Sequence, residues 1–268
     1  MTRQGKPKIA SYLDFAHDLA DIAAEAILPH FRRRLMVTDK GGPSGFDPVT
    51  VADRAAEKAI RATIAKRYPD HGVVGEEYPE KAGAGRHSWV VDPIDGTRAF
   101  IMGSPLWGTL VALVEDGAPA LGLMNQPFTQ ERFWGAGRRA HMRAPNGRTR
   151  TLRTRACGGV RDAVMTTTHP DLFASRADAA GFERLKGRAR MTRYGGDCYG
   201  YCLLAAGFVD IVVEVGLKPH DVAALIPIIE GAGGRITTWD NAPAMGGGRI
   251  LAAGDPRVHK AALELLHS

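Results

Sequence analysis

Long hydrophobic runs are missing from this 268-residue sequence: no stretch approaches ~18 consecutive apolar residues, so no membrane-spanning helix is expected. Cysteine is scarce as well. Cys157, Cys198 and Cys202 are too few and too unevenly spaced for a disulfide framework, and they fit a reducing, cytoplasmic setting. Met1 to Ala10 is basic and polar with no apolar stretch behind it, which speaks against a conventional secretion signal. Internal repeats and low-complexity tracts are absent. Aromatic residues make up only 7%, and none interleaves with the basic clusters as a base-stacking platform requires. The excess of 35 Lys and Arg over 29 Asp and Glu therefore reads as a solvated, Arg-rich surface, with neither nucleic acid nor membrane expected as a partner.

What is present is ordinary globular composition, 44% hydrophobic and 24% charged, in a chain long enough for one large domain or two modest ones sharing an interface. Ser11 and Asp14 resemble a capping box ahead of a helix with Leu13, Ala16, Ala20, Ala23 and Ile27 on one face. A glycine-rich break at 41–45 precedes a second helix, with Ala52, Ala56, Ile60 and Ile64 on one face. Strands follow at 89–91, 109–114, 120–124 and 131–134, with a hairpin turn at Glu115-Asp116-Gly117. The stretch 138–155 is polar and turn-rich and suggests a boundary near residue 150. Beyond it, strands at 164–168, 191–194, 211–215, 235–238 and 250–253 alternate with helices at 172–180, 199–206, 222–231 and the C-terminus. The expected fold is an α+β half over residues 1–150, with paired helices on an antiparallel sheet, followed by an α/β half over 151–268.

The chemistry concentrates in Trp89-Val90-Val91-Asp92-Pro93-Ile94-Asp95-Gly96-Thr97. An apolar strand here ends in two carboxylates three residues apart, and carboxylates are costly in such a place unless paired or metal-bound. Hard oxygen ligands suit Mg²⁺. Gly96 and Thr97 would open a short helix whose free N–H groups favour a phosphate. Further acids recur at Gly75-Glu76-Glu77, at Asp47-Pro48-Val49-Thr50-Val51-Ala52-Asp53, and at Glu214 and Asp221. Each has a plain structural explanation: Asp221 a helix cap, Asp53 an acid at a helix start. Together they supply the oxygen ligands of a two-metal phosphoryl-transfer site.

The order D-x-V-T-x-A-D, G-E-E, D-P-I-D-G-T, x-D-V-A-A and E-x-A-G-G resembles the inositol monophosphatase-like phosphatases over essentially the whole chain. The resemblance implies a layered αβαβα sandwich, a homodimer and two to three Mg²⁺ ions. It implies that Glu76, Asp92 and the Ile94 carbonyl hold one ion, that Asp92, Asp95 and Asp221 hold a second, and that Glu76 reaches a third. Asp47 and Thr97, with Glu76 nearby, would orient the attacking water, and Gly96 and Thr97 would donate N–H groups to the phosphate. The implied chemistry is in-line attack of a metal-activated water on a small phosphate ester, without a covalent phosphoenzyme.

The leaving group is read from Gly195-Gly196-Asp197-Cys198-Tyr199-Gly200-Tyr201-Cys202. Asp197 places a carboxylate where a neutral polyol needs none. Asp197 and Glu214, with Asp95, Gly196 and Asp221 around them, suit a cationic leaving group. This stretch and L-K-P-H-D-V-A-A resemble the histidinol-phosphate phosphatase branch, which implies a role in histidine biosynthesis. Asp197 is alternatively a solvent-facing cap. His220 stands where inositol-specific members have tryptophan and where the histidinol branch leads one to expect tyrosine. It lines the pocket or holds the loop. Cys198, Cys202, Tyr199, Tyr201 and Trp107 read as packing residues. The competing substrates are an inositol monophosphate or a 3′-phosphorylated nucleotide. A non-catalytic, RNA-associated protein would be expected to lack metal ligands, and none is lacking here.

Overall fold

The computed structural model describes residues 9–34, 36–41 and 48–268. Helix α1 (Ile9–Ile27) buries Tyr12, Ala16, Leu19, Ala20, Ala23 and Ile27 at helical spacing. It is already helical at Ile9, so Ser11 and Asp14 lie inside it and do not cap it. An antiparallel pair, β1 (Val37–Asp39) and β2 (Pro48–Thr50), leads into α2 (Val51–Arg67). The capping box is here: Thr50 Oγ1 accepts the Ala52 N–H while Asp53 reaches back to the Thr50 N–H.

Seven strands follow: β3 (Gly72–Gly75), β4 (His87–Asp95), then, after the short α3 (Thr97–Met102), β5 (Gly108–Glu115), β6 (Ala118–Gln126), β7 (Glu131–Ala136), β8 (Arg139–Arg143) and β9 (Thr149–Thr151). They form one sheet in chain order, antiparallel except for the parallel β3–β4 pair. The stretch 138–155, expected to be a turn-rich boundary, thus carries two strands. In β8 Ala140 and Met142 point inward at every second position while Arg139 and Arg143 stay in solvent.

The second half contains β10 (Val164–Thr167), α4 (Arg176–Lys186), β11 (Met191–Tyr194), α5 (Asp197–Ala205), β12 (Ile211–Leu217), α6 (Pro219–Val222), α7 (Leu225–Gly231), β13 (Arg235–Thr238), β14 (Gly248–Ala253) and α8 (Pro256–His267). Its sheet has the order β11-β10-β12-β14-β13, parallel over the first three strands and antiparallel over the rest. Two expected helices differ. The one placed at 172–180 starts at Arg176, where Ser175 Oγ accepts the Asp178 N–H. The one placed at 222–231 is broken in two, because Pro227 has no N–H to return to the Ala223 carbonyl. The first of the two, α6, starts at Pro219, so Asp221 lies within it and Lys218 occupies the N-cap position.

The layering follows from strands that are apolar on both faces. Trp89 and Val91 of β4 pack with Val111, Leu113, Leu121 and Leu123 against α1 and α2. Val90 points the other way, joining Leu110, Met124 and Phe133 against α5 and α7. Those two helices also take Val212, Ile250 and Ala252 from the second sheet, whose Ile211, Val213, Leu251 and Ala253 pack against α4 and α8. The result is an αβαβα stack with one shared core between the sheets. α7 lies close on the first sheet because Gly122 and Gly135 face it: an added Cβ would sit 2.0 Å from the Ala224 carbonyl oxygen and 2.1 Å from that of Pro227.

Candidate metal and phosphate site

Where β4 ends, its register with β5 shifts between Asp92 and Asp95, a bulge that turns both carboxylates toward one place. Gly96, at φ +89°, then reverses the chain into α3, a conformation that favours glycine. Glu76 arrives from the end of the neighbouring β3, Asp221 from α6, and Asp53 from the first turn of α2. One oxygen of each central acid is held by a backbone N–H: Asp92 Oδ1 by Ile94 (3.0 Å), Asp95 Oδ2 by Cys198 (2.6 Å) and Asp221 Oδ2 by Lys218 (2.6 Å). With these oxygens fixed, Asp92, Asp95 and Asp221 bring ligand atoms within 4.8 Å of one another, and so do Glu76, Asp92 and His220. Thr97 Oγ1 donates to the Ile94 carbonyl at 3.1 Å.

The electrostatics are those of a cation site. Burial pushes the Asp92 carboxyl well above its ordinary range, and Glu76, Asp95, Asp221 and Asp53 push it further by like-charge repulsion. Asp95 and Asp221 are also raised chiefly by burial; Asp197 and Asp221 add to the rise at Asp95, whereas His220 and the Lys218 N–H oppose it at Asp221. Asp53 is only 1% exposed; its Oδ2 takes the Thr50 N–H and hydroxyl, while Oδ1 is buried with no hydrogen-bond partner. Lys40 places its ammonium 2.7 Å from Glu76 and 2.9 Å from Glu77, a cation standing beside a candidate metal ligand. A divalent ion would relieve the crowding of Asp92, Asp95 and Asp221, so this donor set fits Mg²⁺.

A cavity of about 400 Å³ opens beside these acids, lined among others by Arg98, Asp197, Glu214 and His220. Glu214 is buried, and its pKa is pushed up to about 7 by that burial, against hydrogen bonds from Thr168 and Tyr201 that favour the charged form. Asp197 is partly buried at the first turn of α5 and pushed up to about 6, chiefly by burial. The Gly196 N–H and the Arg98 guanidinium pull it down, and Asp221 pushes it up. Its backbone is left-handed, at φ +43°, after two glycines at positive φ. Asp197 therefore faces the cavity and is not a solvent-facing cap.

The structure thus brings together Glu76, Asp92, Ile94, Asp95, Gly96, Thr97, Asp197, Glu214 and Asp221, with Gly196 at the N-cap of α5. Asp47 lies outside the described residues. Three groups have more to do than their sequence context suggested. Asp53 keeps an unpaired oxygen among the acids, although its motif had marked the position. Tyr201 is packed as expected, yet its hydroxyl lies 3.2 Å from Glu214. Lys40 was foreshadowed only by its place at the edge of the glycine-rich break.

Residues 8–268 match the inositol monophosphatase family. A bifunctional chloroplast phosphatase of Arabidopsis thaliana is 42% identical over 260 residues, covering 92% of this chain and 72% of the relative. The histidinol-phosphatase of Mycobacterium tuberculosis is 36% identical, covering 76% of this chain and 79% of its own. Among solved structures, an inositol monophosphatase from Zymomonas mobilis superposes with a TM-score of 0.85 at 42% identity, covering 98% of this chain and all of that one.

Proposed function

The chain belongs to the inositol monophosphatase family, and from that premise we propose that it is a Mg²⁺-dependent phosphomonoesterase that hydrolyses histidinol phosphate to histidinol and phosphate, a step in histidine biosynthesis. Glu76, Asp92 and the Ile94 carbonyl would hold one ion; Asp92, Asp95 and Asp221 would hold a second, with Glu76 within reach of a third. Bound Mg²⁺ would supply charge neutralisation of the phosphate and acidification of water. The N–H groups of Gly96 and Thr97 would fix the phosphate oxygens. Thr97 and an aspartate would orient the attacking water. Asp47, which lies outside the described residues, is the aspartate we assign to that role, with Glu76 nearby.

The observation that carries the substrate choice is the pair of acids across the cavity. Asp197 and Glu214 both sit where their charge is disfavoured by burial, and a ligand ammonium would offset that cost. The 36% identical histidinol-phosphatase supports the same choice. The second reading is an inositol monophosphate, supported by the similar Zymomonas mobilis protein and by Arg98, a cation of the chain's own beside Asp197. Phosphate release from histidinol phosphate, inositol 1-phosphate and a 3′-phosphonucleotide, each with Mg²⁺ and with chelator, tests both parts. Turnover of histidinol phosphate that persists after complete chelation contradicts the metal reading. No detectable turnover of that ester with Mg²⁺ present contradicts the substrate.

A further inference from the structure

His220 is a buried polar side chain that the reaction described above leaves without a task. The residue is 8% exposed, and its ring makes no hydrogen bond to any described residue. The nearest acid, Asp221 Oδ1, lies 3.5 Å from Nε2, too long for one. That ion-pair contact alone leaves the ring's hydrogen-bonding capacity open toward the cavity it lines. The ring is aimed at acids: one of its nitrogens lies within 4.8 Å of ligand oxygens of both Glu76 and Asp92, themselves within that distance of each other.

From this placement we infer that His220 is a metal ligand, and that the position it shares with Glu76 and Asp92 takes a first-row transition dication of the Zn²⁺ type more tightly than Mg²⁺. Three atoms bound to one such ion at about 2.1 Å lie about 3.0–3.6 Å from one another. Ligand atoms no more than 4.8 Å apart reach that spacing by side-chain adjustments of about one ångström. Imidazole nitrogen suits Zn²⁺, Fe²⁺ and Ni²⁺, whereas Mg²⁺ keeps to oxygen. The neighbouring position built from Asp92, Asp95 and Asp221 has only oxygen to offer and stays a Mg²⁺ position. Asp92 belongs to both, so the chain holds an asymmetric pair: one mixed nitrogen–oxygen position and one of oxygen alone. Displacement of the Lys40 ammonium from Glu76 accompanies filling of the first.

The test reads the imidazole directly. The full-length protein, labelled with ¹⁵N at histidine, is titrated with Zn²⁺ and separately with Mg²⁺, and the ring nitrogens are followed by long-range proton–nitrogen correlation. A His220 nitrogen is expected to move to the metal-coordinated range with Zn²⁺ and to stay in place with Mg²⁺. In His220→Phe, calorimetry should show Zn²⁺ affinity at this position reduced at least about tenfold, with Mg²⁺ affinity changed less than about twofold. His220 resonances that stay put at saturating Zn²⁺ overturn the inference, as do equal losses for the two ions. Should His220→Phe fail to fold, the wild-type spectrum decides alone. The inference rests on the metal reading of the previous subsection, and the two fail differently. Absence of any Mg²⁺ binding defeats that reading, whereas Mg²⁺ binding together with a His220 that saturating Zn²⁺ leaves unmoved defeats only this one.

Discussion

Replacing Asp197 by asparagine isolates one charge at the substrate end of the cavity. Asparagine is the appropriate choice because residue 197 has φ +43°, a left-handed conformation that Asn and Asp tolerate and alanine resists. The backbone that presents Cys198 N–H to Asp95 is then left undisturbed. With its pKa pushed up to about 6, Asp197 is mostly ionised near pH 7.5, and a bound ammonium would favour ionisation further. Removing one hydrogen bond between charged partners costs about 1.5–3 kcal/mol, or roughly a tenfold to hundredfold loss in kcat/KM. Arg98 already stands near the carboxylate, but it is exposed and solvent screens it, so it offsets little of that loss. The assay compares kcat/KM for histidinol phosphate with that for glycerol phosphate, which carries no cation. The aminoalcohol ester should lose its advantage while glycerol phosphate hydrolysis stays within about twofold. Equal losses on the two esters would falsify the ion-pair argument and leave Asp197 a structural residue.

Asp92→Asn, which removes the carboxylate common to both candidate metal positions, should weaken Mg²⁺ binding in calorimetry by at least about a hundredfold and abolish turnover with it; unchanged binding contradicts the shared ligand. Thr97→Ala and Asp47→Asn should each lower kcat by roughly a hundredfold or more while KM moves little, as expected for groups acting on the attacking water. A raised KM with intact kcat would transfer them to substrate binding. Glu214 has its folded pKa raised to about 7 from 4.5, so its protonated form stabilises the fold fully below about pH 4.5, and that contribution is lost as pH rises through about 7. It amounts to about 3 kcal/mol at most, and Glu214→Gln should therefore raise the melting temperature of the metal-free protein at pH 8 but not at pH 4.5. An equal shift at both pH values removes Glu214 as the titrating group.

The central acids were legible in sequence because their setting is improbable for any other purpose. Two carboxylates closing the apolar run Trp89-Val90-Val91, with proline and glycine shaping the turn, announce a site before any fold is known. The continuous apolar runs at 89–91 and 109–114 likewise placed the central strands, which are buried on both faces. What escaped the sequence depends on tertiary contact. Asp53 does serve as an acid at a helix start, and only its second oxygen, buried without a partner, reveals more. Tyr201 packs between the sheets as its helical position suggests, but its hydroxyl meets Glu214 because α5 lies across β12. The last two strands of the first sheet, β8 and the edge strand β9, are short and arginine-bearing, a composition that keeps the end of a sheet soluble and reads as loop. The break between α6 and α7 turns on Pro227 alone, where helical periodicity runs on without interruption.

The central claim is that this metal site serves an ester with a cationic leaving group, and a competition in one vessel tests it most directly. Equal concentrations of histidinol phosphate and inositol 1-phosphate, with Mg²⁺ at pH 7.5, are presented to the wild-type protein, and the initial rates of histidinol and inositol release are measured together. Their ratio is the ratio of kcat/KM values, free of differences in active fraction between preparations. A pair of acids aligned on an ammonium should favour histidinol release by at least about tenfold. Inositol released as fast or faster would contradict the account and return the cavity to a neutral polyol.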